Sequence, residues 1–390
     1  MRILMLNASF SCSGYTHGLC NALADAGCHV ELYTGPYYFV ASRNWERIAY
    51  RPRIRFYRLT QMRSYTIRPM RTLWRLLRLL GHVWSMTRII FDAHRFDVVH
   101  VQYLSVRSLD VWWLRVIGWR TPVVYTVHNL YPHDMPRSGR LHRLFRRIYG
   151  QSVALLAHSD ATVEALSRRF GVPRQKITKV AHGNMNYLRT QRDAPKPADL
   201  GLDRHHTPLV LMFGVLRHDK GPDVLLHAAS LLRDDGVDFR LLLAGVPGVD
   251  PKPYYELASE LGLDGWVEFR MDYIEEEEVA AYFQAATVVA LPYREIDQSG
   301  VLISALSLGR AIVATRLAGL EEVINESHAG LLVPVDDPQG MAQAIKQLLT
   351  DESLRRRCEA NALRYADTVL AWEPIAQQTI EVYHRVQGDS

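Results

Sequence analysis

The chain has 390 residues, of which 48% are hydrophobic and 22% are charged, and this excludes a disordered protein, a collagen-like fibre and a small disulfide-rich scaffold. The length predicts two or three domains. The net charge of +5 is divided unevenly, because residues 1–190 hold 28 of the 46 Lys and Arg but only 9 of the 41 Asp and Glu. A basic first half and an acidic second half indicate two domains with different partners.

Apolar, strand-like runs alternate with helical patterns along the whole chain. In the first half, strands are predicted at 2–8, 28–34, 53–58, 97–102, 121–127, 152–158 and 176–181, with helices that include 17–26, 70–93, 109–117 and 160–170. In the second half, strands are predicted at 209–214, 239–245, 266–270, 287–292, 310–315 and 329–334, with helices at 222–233, 253–261, 275–285, 299–308, 338–349 and 352–366. Near-continuous Val, Ile and Leu runs are typical of parallel strands buried on both faces. The pattern predicts an α/β protein with two doubly wound domains.

The domain boundaries follow from a change in composition. The stretch 189–208 is rich in charge and proline, so we predict a first domain at 1–190, a linker at 191–207 and a second domain at 208–370. The closing segment 371–390 is a helix left over after the second domain is complete.

Cysteine use and hydropathy predict a cytoplasmic protein without a metal site. The four cysteines (Cys12, Cys20, Cys28 and Cys358) form no C-x-x-C pair and have no histidines beside them at ligand spacing. So few cysteines are typical of a reducing compartment. The first apolar run is too short for a secretory signal, and no charge-free run of 18 apolar residues is present to span a membrane.

Two candidate site segments lie in the first half, at the ends of predicted strands, where ligands of open α/β sheets bind. Gly14 lies in the turn after the first strand, where a glycine lets a ligand approach the backbone, although an ordinary turn explains it equally well. His128 directly follows an apolar strand and could bond a sugar hydroxyl, or could be a structural histidine. We predict that the two sheets face each other across a cleft.

The loop after the first strand of the second half has the composition of an anion site. The strand ends in Gly214, and the loop carries Arg217 and Lys220 before Gly221 and a helix. Two cations beside a glycine and a helix start can bind a diphosphate. The alternative is a solvated, charged loop.

The strongest signal is the segment 287–324. A buried strand ends at Pro292, and Gln298, Ser299 and Gly300 open an apolar helix whose first amides, with that of Val301, would face a negative group. Two carboxylates nearby, Glu295 and Asp297, could bond sugar or ribose hydroxyls, and the next strand is followed by Gly319 and Glu321 in the same arrangement. A loop with a serine cap would not need so many polar and glycine residues on one edge.

With these residues the sequence resembles the retaining, nucleotide-sugar-dependent glycosyltransferases of family four, which have the two-Rossmann GT-B architecture. The resemblance spans nearly the whole chain and is densest from Phe213 to Ile324. It implies that the second domain binds a nucleoside-diphosphate sugar, that the first binds a glycan or lipid-linked acceptor, and that segment 371–390 crosses back onto the first domain. It also implies that the enzyme is a hexosyltransferase, in cell-surface polysaccharide or glycolipid synthesis.

The resemblance assigns roles to the candidate residues. Arg217 and Lys220 correspond to the cationic diphosphate site, His128 to a histidine that contacts the transferred sugar, and Gly14 to the glycine-bearing first loop. The donor site would further include Gly214, Glu295, Asp297, Gln298, Ser299, Gly300, Val301 and Glu321. No acidic pair has metal-ligand spacing, so we expect no metal or other cofactor, and the cations would replace a divalent ion.

The chain departs from the family pattern at two places. The two glutamates that usually flank the donor loop correspond to Ile296 and Ser304, and the usual arginine after the loop glycine corresponds to Val215. These changes resemble a branch of the family in which Gln-Ser-Gly-Val opens the donor helix. This likeness favours an active enzyme, while the two missing glutamates leave a sugar-nucleotide-binding protein with impaired catalysis as an alternative.

The basic first half needs a further explanation, which segment 70–91 suggests. Arg71, Arg75, Arg78 and His82 fall on one side of a helical wheel, and leucines and Trp84 fall on the other. Such a helix can lie at an anionic membrane surface, which would suit a lipid-linked acceptor and a peripheral location on the cytoplasmic face. The alternative is a helix packed on its own sheet with a solvated arginine face.

Two functions from other classes compete with a transferase. A domain with this positive charge would attract nucleic acid, but no stacking motif or helix-turn-helix signal is present and the acidic half would repel the backbone. A nicotinamide dehydrogenase is disfavoured, because the first loop lacks G-x-G-x-x-G.

Overall fold

The computed structural model describes residues 1–8, 13–36, 47–56, 71–131, 138–191, 194–202 and 207–388. The chain forms two compact units. Unit 1 comprises Met1–Gly183 and Ala371–Ser390, and unit 2 comprises Asn184–Leu370. The predicted linker at 191–207 thus lies inside unit 2, where Pro197–Leu200 forms a short 3-10 turn. The first unit ends at Gly183 rather than at residue 190.

Unit 1 is built on a seven-stranded parallel sheet with the order β3-β2-β1-β4-β5-β6-β7. Its strands are β1 (Arg2–Asn7), β2 (His29–Thr34), β3 (Arg51–Ile54), β4 (Val98–Tyr103), β5 (Val123–Val127), β6 (Ala154–Ala157) and β7 (Ile177–Lys179). Within the described residues up to Arg168, the helices are α1 (Ser13–Asp25), α2 (Arg71–Ala93), α3 (Arg107–Gly118), α4 (Gly139–Gln151) and α5 (Asp160–Arg168). The central strands are buried along nearly their whole length, as expected for a parallel sheet covered by helices on both faces.

Unit 2 repeats this architecture with a six-stranded parallel sheet of order β10-β9-β8-β11-β12-β13. Its strands are β8 (Leu209–Phe213), β9 (Arg240–Ala244), β10 (Val267–Arg270), β11 (Val288–Leu291), β12 (Ala311–Thr315) and β13 (Gly330–Val333). Its helices are α6 (Tyr187–Thr190), α7 (Pro222–Asp234), α8 (Lys252–Glu260), α9 (Glu276–Ala285), α10 (Gly300–Ser307), α11 (Ala318–Ser327), α12 (Pro338–Thr350) and α13 (Glu352–Thr368). The prediction of an α/β protein with two doubly wound domains is confirmed.

The closing helix α14 (Trp372–Gly388) is part of unit 1. It packs on α1, and the hydroxyl of Tyr383 lies 2.5 Å from Nδ1 of His100, a buried side chain of β4. Trp372, at its first turn, packs edge-on against Tyr15 of α1, with ring centres 5.2 Å apart. The helix is therefore anchored in the core of unit 1 at both of its ends.

All thirteen predicted strands are present, each within a few residues of its predicted position. Strand β3 ends at Ile54, and residues 57–58 of the predicted strand lie outside the described residues. Helix α4 lies between two predicted strands, where a helix is expected, although it is not one of the helices given by residue number above. Its buried side chains Leu141, Phe145, Ile148 and Tyr149 have helical spacing, with arginines between them.

The sequence left open that α2 packs its leucines on the sheet and exposes its arginine face. The observed orientation of α2 is different. His82, predicted on the arginine side, is fully buried, and its Nε2 lies 2.6 Å from Oδ1 of Asp110 on α3. Leu80 and Trp84, on the opposite side, are exposed. The interior of unit 1 therefore takes up the side of α2 that carries His82, where the buried Asp110 is its hydrogen-bond partner.

No helix in the part of the chain that the structure describes has both the length and the apolarity needed to cross a membrane.

Candidate functional site

The strand order of each sheet reverses direction at one point, which places a crevice beside the ends of two neighbouring strands. In unit 2 this switch point lies between β8 and β11, and in unit 1 it lies between β1 and β4. The loops that follow β8 and β11 are segments 214–221 and 292–299, the two segments from which the sequence predicts a diphosphate site. The topology thus brings them to the same edge of one sheet.

Two glycines allow these loops to approach each other closely. Gly221 has a φ of 67°, and a Cβ there would overlap the carbonyl oxygen of Pro292 in the loop after β11. A Cβ on Gly319, after β12, would overlap the carbonyl oxygen of Asp297. The loops after three strands therefore pack backbone against backbone, which only residues without a side chain permit.

Arg217 is held by a carboxylate of its own loop. Its Nε and Nη2 lie 2.9 and 2.8 Å from the two carboxylate oxygens of Asp219. Burial would raise the pKa of Asp219, but the hydrogen bonds and charge of Arg217 outweigh burial and lower it. This bidentate pair fixes the guanidinium plane while its Nη1 keeps two donors for a further oxyanion.

Lys220 is mostly enclosed and rests on an aromatic ring. Its Nζ lies 3.9 Å from the centre of the Tyr293 ring. Burial lowers the pKa of Lys220 to about 8, with Asp219 opposing and Arg217 reinforcing the shift. The site thus contains a cation that is short of anionic partners, and an added anion would stabilise its charged form.

The start of α10 faces the same edge. Ser299 is the N-cap of this helix, and its side chain accepts a hydrogen bond from the amide of Leu302. The amides of Gly300 and Val301, in the first turn, have no acceptor within the helix. The side-chain oxygen of Gln298 is buried without a hydrogen-bond partner. Unpaired donors at a helix start, beside two cations, suit an anionic ligand.

Tyr293 connects the cationic loop with the helix start. It is buried, which raises its pKa to about 12, and it is hydrogen-bonded to Ser299. One side of the residue therefore contacts the helix cap, while its ring contacts the ammonium of Lys220. Tyr293 was not predicted as a site residue, since a tyrosine after a strand is usually a core residue.

Arg294 ties the two loops together. Its guanidinium forms a bidentate pair with Asp223, at 2.8 and 2.7 Å, and its Nε lies 2.6 Å from Oδ1 of Asp336. The same side chain donates to the carbonyl oxygen of His218, and its backbone amide donates to that of Asp219. One residue of the β11 loop thus holds the β8 loop by two hydrogen bonds and the first turn of α7 by two more.

The remaining predicted donor residues of unit 2 surround this centre. Glu295 is exposed and Asp297 is half-buried. Glu321, in the first turn of α11, accepts an ion-pair contact of 3.0 Å from Arg316. Gly214 has a φ of 108° and lies against Val301, so the end of β8 contacts the start of α10. These three carboxylates thus follow β11 and β12, whereas the two cations follow β8.

In unit 1, Gly14 lies within the first turn of α1 rather than in a turn before the helix. His128 follows β5 as predicted, but it is only 4% exposed. Its ring stacks on Tyr103, with ring centres 4.8 Å apart, and meets Tyr15 edge-on. Aromatic packing thus encloses a histidine that the sequence placed at an open edge.

The hydrogen bonds of His128 define its tautomer. Its Nε2 lies 2.9 Å from the side-chain oxygen of Gln102, which can only accept, so Nε2 carries the proton. The buried Nδ1 then has a lone pair and no hydrogen-bond partner. His128 is therefore neutral, with a lone pair on Nδ1 that lies enclosed among the surrounding rings.

His128 belongs to a cluster of three histidines around Tyr15. His158 and His182 lie 5.2 and 5.1 Å from the Tyr15 ring centre. Burial lowers the pKa of His158 to about 3 and that of His182 to about 4. It also lowers the pKa of His128 well below its usual value, and the neighbouring histidines reinforce this shift. All three are thus neutral at pH 7. Within the described residues no group of three or more His, Cys, Asp or Glu could hold a metal ion.

The sequence contains a signal for this cluster in the positions of its histidines relative to the strands. His158 directly follows β6 and His182 comes three residues after β7, just as His128 directly follows β5. The rule that selected His128 therefore selects all three. Trp372 could not be found in this way, because it reaches the cluster from the other end of the chain.

Two family models match the chain and together cover most of it. Residues 13–183 match a model described as Glycosyltransferase Family 4. Residues 207–351 match a model described as Glycosyl transferases group 1. The boundary between the matches falls close to the boundary between the units.

Curated relatives and solved structures agree with these matches. The chain is similar to the D-inositol 3-phosphate glycosyltransferases of Corynebacterium urealyticum, with 32% identity over 78% of this chain and 74% of the relative, and of Nocardioides, with 30% identity over 75% and 68%. In fold it resembles sucrose-phosphate synthase from Thermosynechococcus elongatus, with a TM-score of 0.75, 21% identity and complete coverage of both chains. It also resembles Anabaena HepE in complex with UDP-glucose, with a TM-score of 0.72, 18% identity and 99% and 100% coverage.

Proposed function

Because the chain belongs to the family-4, group 1 glycosyltransferases and has their GT-B architecture, we propose that it moves a hexose from a nucleoside-diphosphate sugar to a glycan or lipid-linked acceptor, with retention at the anomeric carbon. The observation that carries the proposal is the position of Arg217 and Lys220 beside the start of α10, at the switch point of the unit 2 sheet. The proposed setting is cell-surface polysaccharide or glycolipid synthesis at the cytoplasmic face of the membrane.

In the proposed reaction, the bond between the anomeric carbon and the diphosphate breaks, and the electron pair stays on the departing phosphate oxygen. The acceptor oxygen bonds to the same carbon on the same face and gives up its proton to the departing diphosphate. Arg217 Nη1, the ammonium of Lys220 and the amides of Gly300 and Val301 would bind the growing negative charge. These groups would do the work of a divalent cation, so the proposed reaction needs no metal cofactor.

Sugar recognition is proposed for the polar groups around this centre. The carboxylates of Glu295, Asp297 and Glu321 can accept hydrogen bonds from sugar or ribose hydroxyls, and the amide group of Gln298 can donate. In unit 1, Nδ1 of His128 is proposed to accept a hydrogen bond from the transferred sugar. Its lowered pKa supports this role, since a neutral imidazole keeps the lone pair that a hydroxyl donor needs.

The charge of unit 1 supports an acceptor that carries phosphate. Residues 1–190 hold 28 Lys and Arg against 9 Asp and Glu, so an anionic acceptor would be attracted to this part of the chain. The curated relatives are named for an acceptor with one phosphate, D-inositol 3-phosphate. We propose a lipid-linked phosphate or diphosphate as the acceptor, and an inositol phosphate as the second candidate acceptor.

Thermal shifts with UDP-, GDP- and ADP-sugars test the donor. At about 100 times its Kd, the true donor should stabilise the protein by about 2.7 kcal/mol, while the other nucleotides should give little shift. Product NMR should then show the anomeric configuration of the donor. Inversion would refute the retaining mechanism, and donor hydrolysis with no transfer to any phosphorylated acceptor would support a binding protein with impaired catalysis.

Donor affinity should depend on pH through Lys220. The pKa of this lysine is about 8 in the free protein, and a bound diphosphate would raise it, so affinity is full below pH 8 and falls as the pH rises. From pH 7 to pH 9 we expect the Kd for nucleoside diphosphate to rise by about tenfold, measured by calorimetry. In Lys220→Arg the charge persists at both pH values, and the rise should disappear. An equal rise in this variant would assign the dependence to another group.

A further inference from the structure

The outward side of α2 is apolar along most of the helix. Leu80 is 56% exposed, Trp84 is 70% exposed and Phe91 is 67% exposed, and Leu76 and Leu77 are also exposed. These side chains recur at helical spacing, so they form one stripe rather than scattered surface residues. Isolated exposed leucines are ordinary, whereas a continuous exposed apolar face marks an interaction site.

Contacts on the opposite side of α2 fix the rotation of the helix, so the apolar stripe has to face outward. Its helix is fixed in rotation by His82, which contacts Asp110, and by Met86 and Ile89, which are buried in the core of unit 1. In addition, the hydroxyl of Ser85 donates to the carbonyl oxygen of Arg55. Turning the leucines inward would expose these groups and break the buried histidine–carboxylate contact.

Helix α3 continues the exposed apolar surface with two tryptophans. Trp112 is 66% exposed and Trp119, at the C-terminal end of the helix, is 73% exposed, whereas Leu114 and Ile117 of the same helix are buried. The carboxylate of Asp110 accepts from His82 of α2 and from the backbone amides before α3. The contact joins the two helices, so their outward sides are held together as one surface.

The charges on this surface are positive. Arg88 of α2 is exposed, as are Arg115 of α3 and Arg120 just after it. The segment 71–131 contains only three acidic residues, Asp92, Asp97 and Asp110. Asp110 is buried, Asp92 contacts Arg55, and Asp97 accepts from the backbone amide of Arg2. An approaching partner therefore meets arginines and apolar rings, with the carboxylates already engaged.

We propose that the outward sides of α2 and α3, defined by Leu76, Leu77, Leu80, Trp84, Phe91, Trp112 and Trp119, form a docking surface for an anionic lipid bilayer. Exposed indoles fit the headgroup region of a bilayer, and arginines attract the negative surface of anionic lipids. A second copy of the chain fits poorly, because the same arginines would face each other across the contact. The inference rests on the proposed lipid-linked acceptor, which this surface would bring within reach of unit 1.

The test is vesicle binding by the full chain, measured by co-sedimentation and by the shift of tryptophan fluorescence. Wild-type protein should bind mixed phosphatidylglycerol–phosphatidylcholine vesicles at low salt, and bind pure phosphatidylcholine vesicles less. Replacing Trp84, Trp112 and Trp119 with serine should weaken binding by at least about tenfold. The variant should keep the melting temperature and the sugar-nucleotide thermal shift of the wild type, because the three side chains lie on the surface.

A charge comparison separates this surface from general attraction to a basic protein. Arg88→Ala with Arg115→Ala should reduce binding to anionic vesicles clearly more than Arg168→Ala with Arg169→Ala, which removes the same charge from another exposed part of unit 1. Equal losses in the two pairs would overturn the proposal. Absence of vesicle binding by the wild type would overturn it too, as would a dimer that the tryptophan variant loses.

The outcome is independent of the proposed catalytic function. Vesicle binding needs neither donor nor acceptor. If the protein binds vesicles but no sugar nucleotide, the docking surface is supported and the proposed reaction is contradicted. If the protein transfers sugar to a soluble acceptor but does not bind vesicles, the proposed reaction is supported and the docking surface is contradicted.

Discussion

Replacing Arg217 and Lys220 together with alanine is expected to abolish sugar transfer. Removal of a single charge-stabilising donor from an active site costs about 100- to 1,000-fold in rate, and this variant removes two cations from the proposed leaving-group site. The loss should exceed about 1,000-fold in kcat/KM. Because both residues lie in one loop, the remaining structure of unit 2 should be retained.

The measurement compares donor hydrolysis and transfer with those of a matched control. Lys346→Ala with Arg356→Ala removes two positive charges from helices α12 and α13 of the same unit, where each residue forms an exposed ion pair. The control should keep near wild-type turnover. Unchanged turnover in the Arg217 and Lys220 variant would refute the proposed diphosphate site, while loss in both variants would point to the overall charge of the unit.

The alternation of apolar runs and helical patterns was sufficient to predict the fold. In a doubly wound domain each strand is buried on both faces, so runs such as 241–244 have a strong hydrophobic signal that does not depend on the rest of the chain. Helix α4 has a weaker hydrophobic signal, because its buried positions are separated by arginines, whose aliphatic portions can cover a core.

The site could be predicted where function depends on position along a strand. Arg217, Lys220 and Ser299 all follow strands whose ends can be read from the sequence, and the topology brings these ends together at a switch point. The contacts that hold the β8 and β11 loops together could not be predicted in this way. Asp223 and Arg294 are 71 residues apart, and no local pattern indicates that they meet.

The rotation of α2 illustrates the same limit. A helical wheel separates arginines from leucines, but it does not tell which side faces the core, because both sides can be turned to a partner. The deciding contact is between His82 and Asp110, which are 28 residues apart. A buried polar pair thus determined the orientation against the expectation from hydrophobicity alone.

Replacing Arg294 is the second change from which we expect a large effect. Arg294 would act by holding the β8 loop in position rather than by contacting the donor. Its guanidinium is shared by Asp223, Asp336 and the carbonyl oxygen of His218, so Arg294→Met leaves two carboxylates without their partner and frees the β8 loop. Arg294 and Asp223 are partly buried and Asp336 is exposed, so the free energy of unfolding should fall by about 2 kcal/mol, between the values for exposed and buried ion pairs. Donor Kd should rise and kcat should fall, together reducing kcat/KM by about 100-fold.

If Arg294 had only a structural role, its loss would lower stability without changing donor binding. The control variant therefore removes an arginine that has only such a role. Arg355 of α13 is similarly enclosed and contacts Glu359 and the carbonyl oxygen of Leu348, away from both loops. Arg355→Met should therefore lower the melting temperature and leave donor Kd unchanged. Arg294→Lys keeps the charge but cannot form the bidentate pair, so it should restore little. If Arg294→Met loses stability yet binds donor as the wild type does, the β8 loop keeps its place by itself and Arg294 has no positioning role.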